Sequence, residues 1–151
     1  MVFALSQRSL SRLEGVDERL VVIVKKAIDV TRVDFGVTEG LRSIETQRRY
    51  VKAGKSQTFN SKHLEGKAVD LVAYIDGAVS WELNVYDEIA DAIKAVAIEK
   101  QTPIRWGAAW TIPNICEWPT SMEQAMNTYI HTRISGGVRP FIDAPHFELV
   151  D

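Results

Sequence analysis

Residues 69–77 leave the backbone little choice. Val69, Leu71, Ala73 and Ile75 alternate with Asp70, Val72 and Tyr74, and Asp76-Gly77 closes the run. Period-two alternation marks a strand with one buried face, and Asp-Gly is a two-residue hairpin signal. The spacing predicts a strand that turns back through a short second one towards Trp81. On it, Asp70 falls on the face opposite Val69 and Leu71, which belong in the core. A carboxylate at the start of a core strand needs a reason, and a cation is a good one.

The rest of the chain must supply the layers around that strand. Leu20, Val21, Val24, Ala27 and Ile28 recur at helical spacing between Asp17 and Val30, and Val33 to Glu39 alternates as a strand. Ser43 can cap a second helix ending at Gly54, and Lys55 to Gly66 reads as a loop. Asn84 is placed to cap a long helix with the stripe Val85, Ile89, Ala92, Ile93 and Val96. Ile104 to Trp106 is a short strand, and Thr120-Ser-Met-Glu123 is a capping box for a helix stopping at Gly136-Gly137. A last strand surrounds His146 to Leu149. Helices and short strands without regular βαβ alternation predict an α+β fold with a small, mainly antiparallel sheet flanked by helices. At 151 residues, with no repeat or linker, one domain over 1–151 is expected.

Composition narrows the function. The longest aliphatic run, Leu20 to Val24, is far short of the roughly 20 residues of a membrane helix, so no membrane insertion is expected. Met1 to Leu5 has no basic region before it and is too short for the full apolar region of a signal peptide, and a lone Cys116 fits a reducing cytosol. No helix-turn-helix, finger or basic-aromatic platform is legible, which argues against nucleic acid. The net charge of −2 hides a division. Residues 1–67 carry 13 Lys/Arg against 8 Asp/Glu, and residues 68–151 carry 5 against 12, giving nets of +5 and −7.

Two constellations carry chemistry. In Ser61-Lys-His-Leu-Glu-Gly-Lys-Ala-Val-Asp70, Gly66 can turn the chain so that His63 and Asp70 converge, and the small Ala68 leaves room beside them. In Asp143-Ala-Pro-His-Phe-Glu148, Pro145 fixes the approach to the last strand, where Phe147 and Leu149 take one face and His146 and Glu148 the other. If the two strands pair, His63, Asp70 and His146 form a His₂-carboxylate set with room for a water. Three protein ligands and an open position are the pattern of catalytic zinc, and imidazole with one carboxylate suits Zn²⁺ better than calcium or magnesium.

These motifs resemble the zinc peptidases of the M15 family, whose fold is shared by D-alanyl-D-alanine peptidases and hedgehog-like domains. The nearest branch is that of the tailed-phage endolysins, the L-alanyl-D-glutamate endopeptidases. Ser11-Arg-Leu-Glu-Gly-Val-Asp17, Glu39-Gly-Leu-Arg42, Ser56-Gln-Thr-Phe-Asn-Ser61 and Ile104-Arg-Trp-Gly107 extend the likeness over most of the chain. The stretch from Ala108 to Arg139 is longer than in many relatives. Between Trp106 and Trp110 stands Gly107-Ala108-Ala109, where members often carry an acidic residue.

The resemblance implies one zinc ion on His63, Asp70 and His146, with Asp143 as catalytic carboxylate and Arg42 on the scissile carbonyl or a nearby substrate carboxylate. Gln57, Ser61, Trp110 and Glu148 are candidates for substrate contact or support behind the ligands. Glu148 is also the rival base, and Arg42 could instead be an exposed arginine paired with Glu39 or Glu45. His131 reads as a helix-face histidine, Cys116 as a half-buried hydrophobe and the four tryptophans as mostly core. Asp87, Glu88 and Asp91 read as a solvated helix face. The function implied is a peptidoglycan endopeptidase lysing a bacterial host. It would be monomeric, held in the host cytoplasm until released to the wall, and dependent on a separate pore-former, a holin. A D-alanyl-D-alanine carboxypeptidase or dipeptidase with the same zinc chemistry, and a non-catalytic wall-binding module stabilised by zinc, are the alternatives.

Overall fold

A computed structural model describes residues 2–56 and 61–151. The alternating run forms β2 (Ala68–Ile75), the spine of a five-stranded sheet in which every pairing is antiparallel. Strand β1 (Asp34–Glu39) lies along one edge of β2, from Asp34 opposite Tyr74 to Glu39 opposite Asp70. The hairpin strand β3 (Ala78–Ser80) and the final strand β5 (His146–Leu149) share the other edge, β3 near the end of β2 and β5 at its start. Beyond β5 lies β4 (Ile104–Trp106). The fold is α+β with a small antiparallel sheet, as the alternation predicts.

Among the described residues five α-helices complete it: α1 (Gln7–Arg12), α2 (Glu18–Val30), α3 (Ile44–Lys52), α4 (Leu83–Glu99) and α5 (Met122–Ser135). The apolar stripe of α2 packs against that of α4, α4 lies against β2, and both stripes share one core with Val69, Leu71 and Ala73 of the sheet. Helix α5 in turn packs on α4. Burying such side chains contributes about 1.5–3 kcal/mol each before conformational entropy is subtracted. The opposite face of β2, which carries Asp70, is left for the site.

Several boundaries differ from the sequence reading for identifiable reasons. Helix α4 begins one residue before Asn84, with Glu82 at the cap position and no side-chain cap bond. Helix α5 is capped by Ser121, which accepts from the Gln124 N–H, rather than by Thr120. Helix α1, too short for a periodic signal, was not anticipated; Ser6 caps it. The expected loop before Gly66 contains a 3-10 turn at Lys62–Glu65, ended by Gly66 in the left-handed region at φ 70°. Trp81 lies 66% exposed, so it is not core, whereas Trp106 is fully buried and Trp110 and Trp118 are half-buried. Asp87 is buried at 3% exposure, so the acidic side chains of α4 are not all on a solvated face. No helix among the described residues is long and apolar enough to cross a membrane.

Candidate functional site: a metal centre in an open cleft

The register of β2 with β5 sets Asp70 directly opposite His146, which places both side chains on the same face. His63 arrives from the 3-10 turn. Its backbone is clasped to the segment after β1, since the Arg42 N–H donates to the His63 carbonyl at 2.9 Å. A turn just before β2 and a strand more than 70 residues further along the chain thus meet at one carboxylate oxygen of β2. Asp70 Oδ1 lies 3.1 Å from His63 Nε2 and 3.2 Å from His146 Nδ1.

The far side of each ring decides what those contacts mean. His63 Nδ1 lies 2.7 Å from the Gly40 carbonyl, and His146 Nε2 lies 2.7 Å from Glu148 Oε1. A carbonyl and a carboxylate only accept, so each outer nitrogen is the one that carries the proton. In neutral imidazoles both inner nitrogens then present lone pairs to a carboxylate that presents its own. Such a set calls for a cation between its members. One donor atom from each residue lies within 4.8 Å of the others. Tetrahedral zinc with ligand bonds of about 2.0–2.1 Å separates its ligands by about 3.3 Å, close to the spacings around Asp70 Oδ1. Outer nitrogens held by a carbonyl or a carboxylate are the usual support of metal-ligating histidines. The residues therefore fit a metal ion.

Without a cation the cluster stores charge. Burial pushes the Asp70 carboxyl upwards, but hydrogen bonds and charge from His146 and His63 outweigh it and hold Asp70 well below the usual carboxylate range. Burial disfavours the His146 imidazolium, yet Asp70 and Glu148 overcome it and push that group up to about 10.

Asp143, in the loop before β5, is half-exposed, with Oδ2 4.0 Å from His146 Nδ1. Burial first, and then the charge of Asp70, raises its pKa against the opposing pull of His146, His63 and Arg42. Its position is set by Gly107, which follows β4. The Asp143 N–H donates to the Gly107 carbonyl and the Gly107 N–H to the His146 carbonyl, both at 2.8 Å. A Cβ on Gly107 would run into the Asp143 carbonyl and crowd the His146 Cβ.

Arg42 is 9% exposed, so the alternative of an exposed arginine does not hold, although the pairing with Glu39 does. It pairs with Glu39, donates to Gln47 Oε1 at 2.5 Å and reaches within 3.8 Å of Asp70 Oδ2. Its face lies over the Tyr50 ring at 4.6 Å, and Tyr50 donates to Glu39 Oε2 at 3.0 Å. Ser61 caps the 3-10 turn through the His63 N–H and lies 3.5 Å from Arg42 Nη1. Glu148 sits behind the His146 ring rather than beside Asp143. Trp110 flanks the site with its ring 5.4 Å from that of His146. Gln57 lies outside the described residues. His131 is exposed on α5 and Cys116 half-buried, both away from the cluster. All of the ligand candidates, with Asp143, Arg42, Ser61, Trp110 and Glu148, line one open cleft of about 640 Å³.

Comparison with known proteins gives the geometry a lineage. The family model for phage L-alanyl-D-glutamate peptidase matches residues 1–150. The chain belongs to this family. It is therefore an enzyme of peptide hydrolysis, and its relatives agree. The L-alanyl-D-glutamate peptidase of Escherichia phage T5 is 26% identical over 114 residues, 73% of this chain and 83% of that protein. The solved structure of the Serratia marcescens L-Ala D-Glu endopeptidase ChiX is 36% identical, with a TM-score of 0.73 over 98% of this chain and 90% of that one. For this peptidase, sequence reasoning overlooked the Gly40 carbonyl, Gln47 and the positioning by Gly107. It also overlooked the wall that α5 lends to the cleft through Tyr129 and Arg133. Only Gly107 carried a signal, in the tetrapeptide Ile104-Arg-Trp-Gly107.

Proposed function

We propose that this peptidase cuts between L-alanine and D-glutamate in the stem peptide of peptidoglycan, using one zinc ion held by His63, Asp70 and His146. The observation that carries the zinc assignment is the inward-facing pair of imidazole nitrogens on Asp70 Oδ1, with both outer nitrogens engaged by acceptors. Zinc, when bound, supplies a Lewis acid that polarises a carbonyl and brings the pKa of a water to about 7.

The protein's own groups then divide the remaining work. Asp143, with a raised pKa and an open side towards the cleft, accepts the proton of the attacking water and returns it to the leaving amine nitrogen. Glu148 holds the His146 ring by its outer nitrogen, which leaves Asp143 as the base. Arg42, braced by Glu39 and Gln47, places positive charge beside Asp70 and steadies negative charge developing on the substrate carbonyl. Ser61 fixes the His63 turn. The enzyme acts as a single-domain monomer on the bacterial wall, collects in the host cytoplasm and reaches its substrate through a holin.

Digestion of purified muropeptides tests the proposal. Mass spectrometry should find new D-glutamyl amino termini, a chelator should abolish them and added zinc should restore them. Asp143→Asn should lose roughly 10²–10⁴-fold in kcat with zinc still bound. New D-alanyl termini, or undiminished turnover in that variant, would overturn it.

A further inference from the structure

The cleft holds one arginine that neither the mechanism nor, among the described residues, a bond within the protein engages. Three arginines line it, and two are engaged by the protein itself. Arg42 is bound to Glu39 and Gln47, and Arg105 donates to the Trp110 carbonyl with its face over the Trp110 ring. Arg133, near the end of α5, is different. Among the described residues no carboxylate lies within 4 Å of it, and its Nε is buried without a hydrogen-bond partner. Its helical neighbours at i−4, i−3, i+3 and i+4 are Tyr129, Ile130, Gly136 and Gly137, so no acidic side chain on its own helix can pair with it. Its guanidinium carbon lies 5.7 Å from the centre of the Tyr129 ring.

The scaffold beneath Arg133 is firmly fixed. Tyr129 is 1% exposed and donates to the Phe141 carbonyl at 2.8 Å, just before Asp143. Phe141 stacks on Trp110, and Trp110 in turn reaches His146. At the helix start, Asp91 of α4 accepts from the Met122 N–H at 2.9 Å. A partly dehydrated cation with an unfilled donor, held on a rigid wall of a substrate cleft, is arranged to receive an anion.

The substrate class supplies one. D-Glutamate joined to L-alanine through its nitrogen keeps two carboxyl groups, and a peptide can continue through only one of them. A free carboxylate therefore accompanies the scissile bond, and an acidic residue further along can bring another. We infer that Arg133 is a specificity-determining residue of this peptidase, which binds a free carboxylate of the stem peptide on the leaving-group side. The inference rests on the peptidase reading and adds the group that selects its acidic substrate. It also gives a task to the segment between Ala108 and Arg139.

Synthetic peptides containing the L-Ala–D-Glu bond test this, each with one carboxylate converted to a carboxamide. The first carries the change on the D-glutamyl residue and the second on the residue after it. The zinc-loaded wild type should lose roughly tenfold or more in kcat/KM, chiefly through KM, on one of the two amides, and that amide names the carboxylate. Arg133→Gln should be as slow on the parent peptide as on that amide, so the preference collapses towards one, while Arg133→Lys should recover part of it. Zinc content and melting temperature, measured alongside, check that the variants fold. A wild type indifferent to both amides overturns the inference whatever the variants do, and so does an Arg133→Gln enzyme that keeps the wild-type preference or slows equally on every peptide. A zinc-loaded wild type that cuts none of the peptides refutes the underlying peptidase reading instead.

Discussion

At the scale of single residues, the site depends as much on what holds the reacting groups as on the groups themselves. Gly107 is the sharpest case. It has no side chain to offer, yet its two backbone hydrogen bonds set the turn carrying Asp143 and His146. Gly107→Ala forces a Cβ against the Asp143 carbonyl, so the turn must shift. We expect destabilisation of about 2 kcal/mol or more in denaturant melts, the range of overpacked core sites. Because small misplacements of a catalytic group are costly, kcat should fall roughly a hundredfold in zinc-loaded enzyme. Near-normal activity at full zinc occupancy would show that the turn tolerates the methyl group. The same contrast explains what was legible in advance. The meeting of His63, Asp70, Asp143 and His146 could be read because these side chains stand at telling intervals. The Gly40 carbonyl could not, because every residue has one and only the fold selects it. Arg133 was hidden for another reason: nothing in Thr132-Arg133-Ile134 separates a cleft arginine from a solvated one.

Elements add effects that no residue has alone, and α4 shows one remote from the cleft. Asp87 is buried on it, and among the described residues Oδ2 has no hydrogen-bond partner. Burial, then the charges of Glu123, Glu88 and Asp91, push its carboxyl up to about 6. Below about pH 4 both folded and unfolded chains hold the proton, and Asp87 costs nothing in charge. Between about 4 and 6 the unfolded chain ionises while the folded one does not, so stability falls as pH rises. Above 6 the folded protein carries the buried carboxylate, a penalty on the order of 2 kcal/mol. Asp87→Asn should therefore melt several degrees above wild type at pH 7.5, with the gap closing towards pH 4. A gap independent of pH would refute the argument. Element boundaries show what pattern can and cannot supply. The strands β1 and β2 and the helices α2 and α4 were readable because their apolar periods run long enough to be unambiguous, whereas the four-residue β5 was readable from the Asp143 to Glu148 motif that leads into it. Helix α1, six residues long, and the 3-10 turn carrying His63 have no period, and tertiary contacts settle them. The capping residues of α4 and α5 moved by one or two positions because several neighbouring polar residues can start a helix equally well.

For the whole molecule, the pairing of β2 with β5 makes the site a property of the complete fold, since it joins His63 and Asp70 to Asp143 and His146 across some 70 residues of intervening chain. Charge is also arranged globally. The first 67 residues have a net of +5 and the rest −7, so opposite ends of the sequence would respond differently to an anionic polymer. The cleft draws Arg42, Lys55 and Lys62 from the basic part and Arg105 and Arg133 from the acidic part against four carboxylates, Glu39, Asp70, Asp143 and Glu148, so its lining has a formal charge of +1 where the whole protein has −2. Attraction of this kind speeds encounter with an extended anionic surface and is weakened by salt, because the screening length falls from about 10 Å at 0.1 M to about 3 Å at 1 M. A short soluble peptide samples only the cleft, where close contacts are screened less. Raising sodium chloride from 50 to 500 mM should therefore slow release of peptides from intact wall sacculi several-fold more than it slows cleavage of a soluble L-Ala–D-Glu peptide. Charge reversal of exposed Arg48 and Arg49 on α3, neither of which lines the cleft, should shrink that difference without altering turnover of the soluble peptide. Equal salt sensitivity for sacculi and peptide would mean that the basic part does not engage the wall. The charge asymmetry would then be a feature of the sequence with no part in recognition.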